Sequence, residues 1–234
     1  MVRRDYFGHL LDMPINKFAT QLMRHLALRQ CSDGGDNELT FNLGGKKLVF
    51  GLRDFAAITG LNCGQVPRAD KPKANKGELM QRYWRSKASL TRDEFNAKFT
   101  TRGEKWPSEC KVRTANMYIL QNVVLGKQTT IQIDLSHMVM VDNEEKFHSF
   151  PWETLSYRMT FDSVKKSISN LKFKMFGLDG FPHSLLIWAY DTIPLLQLRG
   201  YAVKSSEIIM PRLLTWSGSS QHSFDTIEAN VFRQ

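Results

Sequence analysis

Between Glu38 and Gly64 the pattern of apolar positions changes its period. Leu39, Phe41 and Leu43 fall on every second residue, whereas Leu52, Phe55, Ala56 and Thr59 fall at helical spacing. A period of two predicts a half-buried strand, and a period near 3.6 predicts a helix with one apolar face. Gly44-Gly45 separates the first strand from a second short run, Lys46 to Phe50, and supplies the two positive-φ residues of a tight hairpin turn. Gly60 stands where a left-handed helix cap belongs, with Leu61 placed to cover it. The segment reads as hairpin, helix and stop.

The rest of the chain is patterned mainly as helix. Pro14 to Gln30 carries Ile15, Phe18, Leu22 and Leu26 along one stripe. Glu78 to Lys87 is a short helix with Leu79, Met80, Tyr83 and Trp84 on one side, which assigns both aromatics to packing. Thr91 and Glu94 fit a capping box, and Leu90 and Phe95 fit the hydrophobic staple around it. From Ser108 to Gly126 runs a more apolar helix with Val112, Ala115, Ile119 and Val123 aligned. Thr129 to Ile133 is a brief strand or an extended linker. Pro151 opens another helix that continues to about Phe173, and Ser184 to Ile193 forms an apolar helix that Pro194 kinks or ends. The loop from Gly64 to Gly77 holds Pro67 and Pro72 among basic residues and is predicted to be exposed. The fold class is therefore α+β, predominantly α-helical: a helical core with one N-terminal β-hairpin at about 38–50. The expected organisation is a single domain over 1–210 followed by a polar, partly disordered tail over 211–234.

Charge alters this picture locally. Lys and Arg number 32 against 23 Asp and Glu, a net charge of +9. Between Arg68 and Arg113 alone there are thirteen basic residues against six acidic ones, so most of the excess lies in one fifth of the sequence. A localised positive surface favours a polyanionic partner. The candidate contacts are Arg68, Lys71, Lys73 and Lys76 in the loop and Arg82, Arg85 and Lys87 on the helix that follows. The longest apolar run, Ser184 to Leu198, contains Asp191 and Pro194 and is too short to span a bilayer, so no membrane is expected. The amino-terminal stretch lacks the apolar core of a signal peptide. Three widely spaced cysteines form no disulfide framework, which points to an intracellular setting.

The residues that carry chemistry elsewhere are not arranged for it here. A cysteine peptidase needs a thiolate beside an oriented histidine. His137, His148, His183 and His222 have no cysteine after them, and only His9 and His25 precede Cys63 or Cys110. Cys63 reads as a small semi-buried residue and Cys110 as a packing residue in the first turn of a helix. No Cys/His pair has zinc-ligand spacing; His137 and His148 lie eleven apart. Gly44-Gly45-Lys46-Lys47 lacks the phosphate-loop pattern and joins two strands. No catalytic residue, metal or cofactor is implied. Asp191, an acid within an apolar helix, is expected to accept hydrogen bonds from a helix start or to pair with an Arg such as Arg158.

Three segments together resemble one family: LTFNLGGKKLVFGLRDFAAITGL over 39–61, FPWETLSYRMTFDSVKKSI over 150–168 and GFPHSLLIWAYDTIPLL over 180–196. They are similar to the plant domain of unknown function numbered nineteen-eighty-five, with Asp54 for its usual Glu, Phe150 for Tyr, Glu153 for Gly and Asp191 for Glu. The resemblance runs from about His9 to about Gly200. It implies a transposon-derived context, often upstream of a SUMO-protease-like cysteine peptidase, similar in style to the plant mobile domain, and it transfers no catalytic residue. The expected function is a non-catalytic interaction module, nuclear, contacting nucleic acid or another protein. The alternative is an accessory domain of a SUMO-protease-like peptidase whose catalytic part lies elsewhere.

Overall fold

The computed structural model describes residues 6–14, 16–31, 35–66, 77–85, 87–128, 130–169, 178–207, 209–218 and 222–233. In chain order the elements are α1 (Thr20–Leu28), β1 (Gln30–Cys31), β2 (Leu39–Leu43), β3 (Lys46–Phe50), α2 (Leu52–Thr59), α3 (Glu78–Trp84), α4 (Arg92–Arg102), α5 (Ser108–Ile119), α6 (Leu135–Met140), α7 (Glu144–Ser149), α8 (Trp152–Ser169), α9 (His183–Thr192), α10 (Pro194–Leu198), β4 (Val203–Lys204), β5 (Trp216–Ser217) and α11 (Phe224–Ile227). The protein is mainly helical with a small antiparallel sheet near its start, the α+β class the periodicities predict. Its contacts sort into two units, one of Met1–Leu11 with Asn62–Leu155 and the other of Asp12–Leu61 with Ser156–Gln234.

The second unit is organised by the hairpin. β2 and β3 pair in the register Leu39↔Phe50, Phe41↔Leu48 and Leu43↔Lys46, around Gly44 at φ +60° and Gly45 at φ +79°. Gly60 caps α2 at φ +67°, and the Asp54 carboxylate accepts from the Gly51 N–H at 3.0 Å to close the other end. Leu39, Phe41 and Phe50 are fully buried as the alternation requires, but Leu43 is only half-buried, and Thr40, between Leu39 and Phe41, is buried as well. Phe41 and Phe50 lie 5.2 and 5.8 Å from the Trp188 ring of α9, and Phe55 of α2 packs edge-on to Tyr157 of α8 at 5.6 Å. β1 adds a third strand on β2, with Gln30 opposite Phe41. Two residues carry no readable alternation, so this strand leaves no sequence signature.

α1 begins at Thr20, not near Pro14. The preceding residues are recruited elsewhere: Lys17 N donates to Gly218 O at 2.9 Å, and Asn16 Nδ2 donates to Trp216 O at 2.8 Å. Ile15 lies outside the described residues. The polar tail also departs from its composition. Ser223 caps α11, which passes into a π-helical turn over Glu228–Phe232, with Ile227 and Val231 buried. This segment seats on α1, where Phe224 stacks on the buried His25 at 3.7 Å and Glu228 binds Arg29 at 2.7 Å. A few anchoring apolar residues suffice to order a chain whose average composition is polar.

Asp191 is paired, but with other partners than Arg158. Its Oδ1 accepts from the indole Nε1 of buried Trp216 at 2.8 Å, and its Oδ2 meets Arg212 at 3.3 Å. Removing the acceptor strands a buried N–H, a loss of roughly 1–3 kcal/mol. Asp191→Ala is therefore expected to lower stability by about 2 kcal/mol in denaturant unfolding, and an unchanged midpoint would show the bond to be dispensable. Pro194 does not simply end α9; it becomes the first residue of α10, where its missing N–H has no helical partner to lose.

The first unit is built on α3 to α7. Trp84, Phe95 and Trp106 make an aromatic cluster in its core beside buried Leu90, with Trp84 stacked on Phe95 at 5.1 Å. α5 buries Cys110, Thr114, Met117 and Ile119; of the predicted stripe Val112, Ala115, Ile119 and Val123, only Ile119 is among them, and the other three are half-buried. Thr114 is tolerated inside because its hydroxyl donates to Cys110 O at 2.7 Å. A π-helical turn over Leu120–Val124 extends α5. Trp152, at the start of α8, is fully buried and donates its Nε1 to Phe147 O at 2.7 Å. His137 is buried too, meets Gln121 Nε2 at 3.2 Å, and is pushed down to about 4 by desolvation.

Candidate polyanion-binding surface

The surface forms where α3 ends and α4 begins, and the sequence builds both ends locally. Thr91 Oγ1 accepts from Glu94 N at 3.2 Å while Glu94 Oε2 accepts from Thr91 N at 3.1 Å, the reciprocal box that its spacing predicts. Leu90 and Phe95, the staple pair, are both fully buried. The extended residues 131–133 run alongside: Arg92 N donates to Ile131 O at 3.2 Å and Ile133 N to Leu90 O at 2.8 Å. Asn96 and Asn122 exchange side-chain hydrogen bonds at 2.8 and 2.9 Å, fixing α4 against the π-helical turn. These ties set which flank of α4 carries its remaining cations.

Those cations converge. Lys98 is half-buried, with its Nζ 5.7 Å from the Trp84 ring and donating to Tyr83 O. Its amine is held below the ordinary lysine value by desolvation first, and then by the positive charges of Arg102, Arg85 and Lys87. Three cations are thus near enough to act on the Lys98 ammonium, a field that an anion relieves. Arg85 sits exposed at the end of α3 in a left-handed conformation, φ +50°. Lys87 is bound to Glu94 Oε1 at 2.7 Å, and that hydrogen bond, followed by the one from Thr91 N–H, holds the Glu94 carboxyl below its usual range.

Of the residues the sequence singles out, the fold brings Arg85 and Lys87 near Lys98. Arg82 turns away: its Nη1 lies 3.7 Å from Cys110 Sγ and 3.9 Å from Glu78. Arg68, Lys71, Lys73 and Lys76 lie outside the described residues. Lys98 and Arg102 are the members that charge counting includes but does not single out; their spacing of four on a helix is the signal that unites them. Tyr83 and Trp84 are packing residues, Tyr83 stacking on Trp106 at 3.9 Å, so no described aromatic of α3 stands ready to stack on a base.

A cleft of about 750 Å³ in the same unit is lined by Tyr6, Arg113, Phe147 and His148 among others. Its Arg113 is already engaged by Glu78 at 3.2 Å and by Glu109, so its charge is largely answered within the fold. Cys63 is exposed rather than semi-buried. Desolvation and the adjacent Glu153 push its thiol up to about 12, and a thiol that holds its proton is a poor nucleophile at neutral pH. Among the described residues no three His, Cys, Asp or Glu are placed to hold a metal ion, and no helix is long and apolar enough to cross a membrane.

The fold and this surface define a mainly helical α+β domain with a three-stranded antiparallel sheet and a basic junction between two short helices. The chain belongs to the family described as a domain of unknown function (DUF1985), whose model matches residues 27–163. That span contains the hairpin motif and the Trp152 motif as far as Ser163; the Gly180 motif lies beyond it. No curated protein and no solved structure matches the chain.

Proposed function

We propose that this domain is a non-catalytic interaction module of a plant transposon-derived protein, acting in the nucleus and gripping nucleic-acid phosphates with Arg85, Lys87, Lys98 and Arg102. The observation that carries this reading is that Arg102, Arg85 and Lys87 all lie near enough to Lys98 to act on its amine, beside the larger effect of its burial. Phosphate contacts position a protein on nucleic acid without reading sequence, which suits a surface with cations and, among the described residues, no exposed aromatic. Arg68, Lys71, Lys73 and Lys76 precede α3 in the chain and add four positive charges to the same stretch of sequence. The neutral Cys63 thiol supports the non-catalytic part of the reading.

Fluorescence anisotropy with labelled duplex and single-stranded DNA, from roughly 25 to 200 mM salt, tests it. Affinity is expected to fall with salt at a log–log slope of about −3, one unit for each neutralised phosphate. Arg85→Glu combined with Arg102→Glu is expected to weaken binding at low salt by roughly tenfold or more and to flatten the slope by about 2. Absent binding at low salt, or a flat salt response, removes the nucleic-acid reading.

A further inference from the structure

The register of the hairpin fixes what the outer side of β3 presents. A two-residue turn makes Leu43 and Lys46 a hydrogen-bonded pair, and such pairs alternate along an antiparallel ladder. Phe41 with Leu48 and Leu39 with Phe50 are therefore bonded as well, while Lys47 and Val49 stand opposite Asn42 and Thr40 in the wider pairs. One bond confirms this phase: the Asn42 N–H turns away from β3 and donates to Arg29 O at 2.8 Å, on the β1 side. Val49, in a wide pair too, turns its N–H and C=O to the outside of the sheet. The strand order is β1-β2-β3, so no described strand pairs with that side, and neither group of Val49 has another partner among the described residues. A backbone donor and acceptor side by side on an extended residue are what an added strand bonds.

The side chains along the same strand restrict what is added. Val49 is exposed. Leu48, which points to the opposite face, is only half-buried, as is Leu43 diagonal to it. Lys46 and Lys47 are both exposed, one on each face. An incoming antiparallel strand therefore meets Val49, Leu48, Lys47 and Lys46 in that order. Apolar residues opposite the first two remove hydrocarbon from water, and carboxylates opposite the last two make cross-strand pairs of opposite charge. Two apolar residues followed by two acidic ones are the sequence that fits.

We infer that β3 takes up an extended acidic segment of a partner protein as a fourth, antiparallel strand of the sheet, its apolar pair over Val49 and Leu48 and its carboxylates over Lys47 and Lys46. The inference goes beyond the phosphate-binding reading and does not rest on it, because the hairpin belongs to the other unit. The probe is a fluorescently labelled peptide, Thr-Val-Val-Glu-Glu-Thr, titrated with the full chain and followed by anisotropy. It is expected to saturate with a Kd of about 100 μM or tighter, and Thr-Val-Val-Lys-Lys-Thr to bind roughly tenfold more weakly. Val49→Pro deletes an N–H that faces outward, where a strand at the side of a sheet accepts proline. It is expected to weaken the acidic peptide roughly tenfold with an unchanged circular dichroism spectrum. Should that variant misfold, Lys46→Glu combined with Lys47→Glu decides, because it is expected to reverse the preference in favour of the lysine peptide. Failure of the acidic peptide to saturate overturns the proposal. Binding that neither variant alters overturns it too, and assigns the peptide to the basic junction of α3 and α4 instead.

Discussion

Glu153→Gln raises the melting temperature by roughly 6–12 °C at about pH 8, and the gain vanishes as pH falls to about 4.5. Glu153 lies in the first turn of α8 and is fully buried, and neither carboxylate oxygen has a well-formed hydrogen bond among the described residues. The Cys63 thiol sits beside it and draws its pKa down slightly, but desolvation dominates and lifts the carboxyl from 4.5 to about 7. A folded-state pKa above the unfolded one means that the fold binds the extra proton. The stability tied to that proton is complete below about pH 4.5, drains away as pH rises through 7, and levels off above it. The full rise corresponds to about 3 kcal/mol, an upper figure that local relaxation reduces. Glutamine has the same shape and no proton to lose, so the variant escapes the penalty. Thermal melts of both proteins at several pH values between these limits read the effect directly. Parallel curves would mean that the carboxyl is already solvated or paired when ionised.

Gly180→Ala is expected to destabilise the protein by about 3 kcal/mol, through backbone conformation and crowding together. Gly180 holds φ +83°, a region costly to any residue with a Cβ. A Cβ placed there would stand 2.2 Å from Thr160 Oγ1, 2.7 Å from Thr160 N and 2.8 Å from Ser156 O. Two of those three atoms are backbone of α8 and cannot swing aside. The close approach has a purpose, because Thr160 Oγ1 accepts from Phe181 N at 2.9 Å and donates to Ser156 O at 2.9 Å. That hydroxyl satisfies an N–H ahead of α9 that has no helical acceptor. Chemical denaturation measures the loss; a shift below about 1 kcal/mol would show that the junction adjusts. Alanine at Gly44 or Gly45 meets no atom within 4 Å, so there only the turn conformation is strained.

What could be read from the chain followed the range of the interactions that decide it. The hairpin, the cap at Gly60 and the Thr91–Glu94 box were legible because each is settled within a few residues. The start of α1 was not, because Asn16 and Lys17 are taken by Trp216 and Gly218, two hundred positions away, and apolar spacing around Phe18 still mimics a helix. The ordered tail escaped for the same reason: Phe224, Ile227 and Val231 are too few to mark an amphipathic helix, yet α1 supplies a face that holds them. Asp191 was legible as a paired acid, but its partner came from Arg212 and Trp216, which no local pattern connects to α9.

The candidate surface was half legible. Charge density located the stretch, and Arg85 and Lys87 were named from it. Counting charges along a line cannot show that Arg82 turns to Cys110 while Lys98 and Arg102 come round to join Arg85. Glu153 stood out as a departure from a family pattern that has Gly there, but sequence gave no sign that its side chain is closed off from water.

The sheet ends on one side at β3, the strand that carries Lys46 and Lys47 exposed near the turn and Val49 exposed near its end. An open strand edge is a template on which a second molecule can add its own strand and begin a fibre. Lysines exposed on a five-residue edge place like charge against like whenever two such edges meet, and so oppose the stacking of one copy on another.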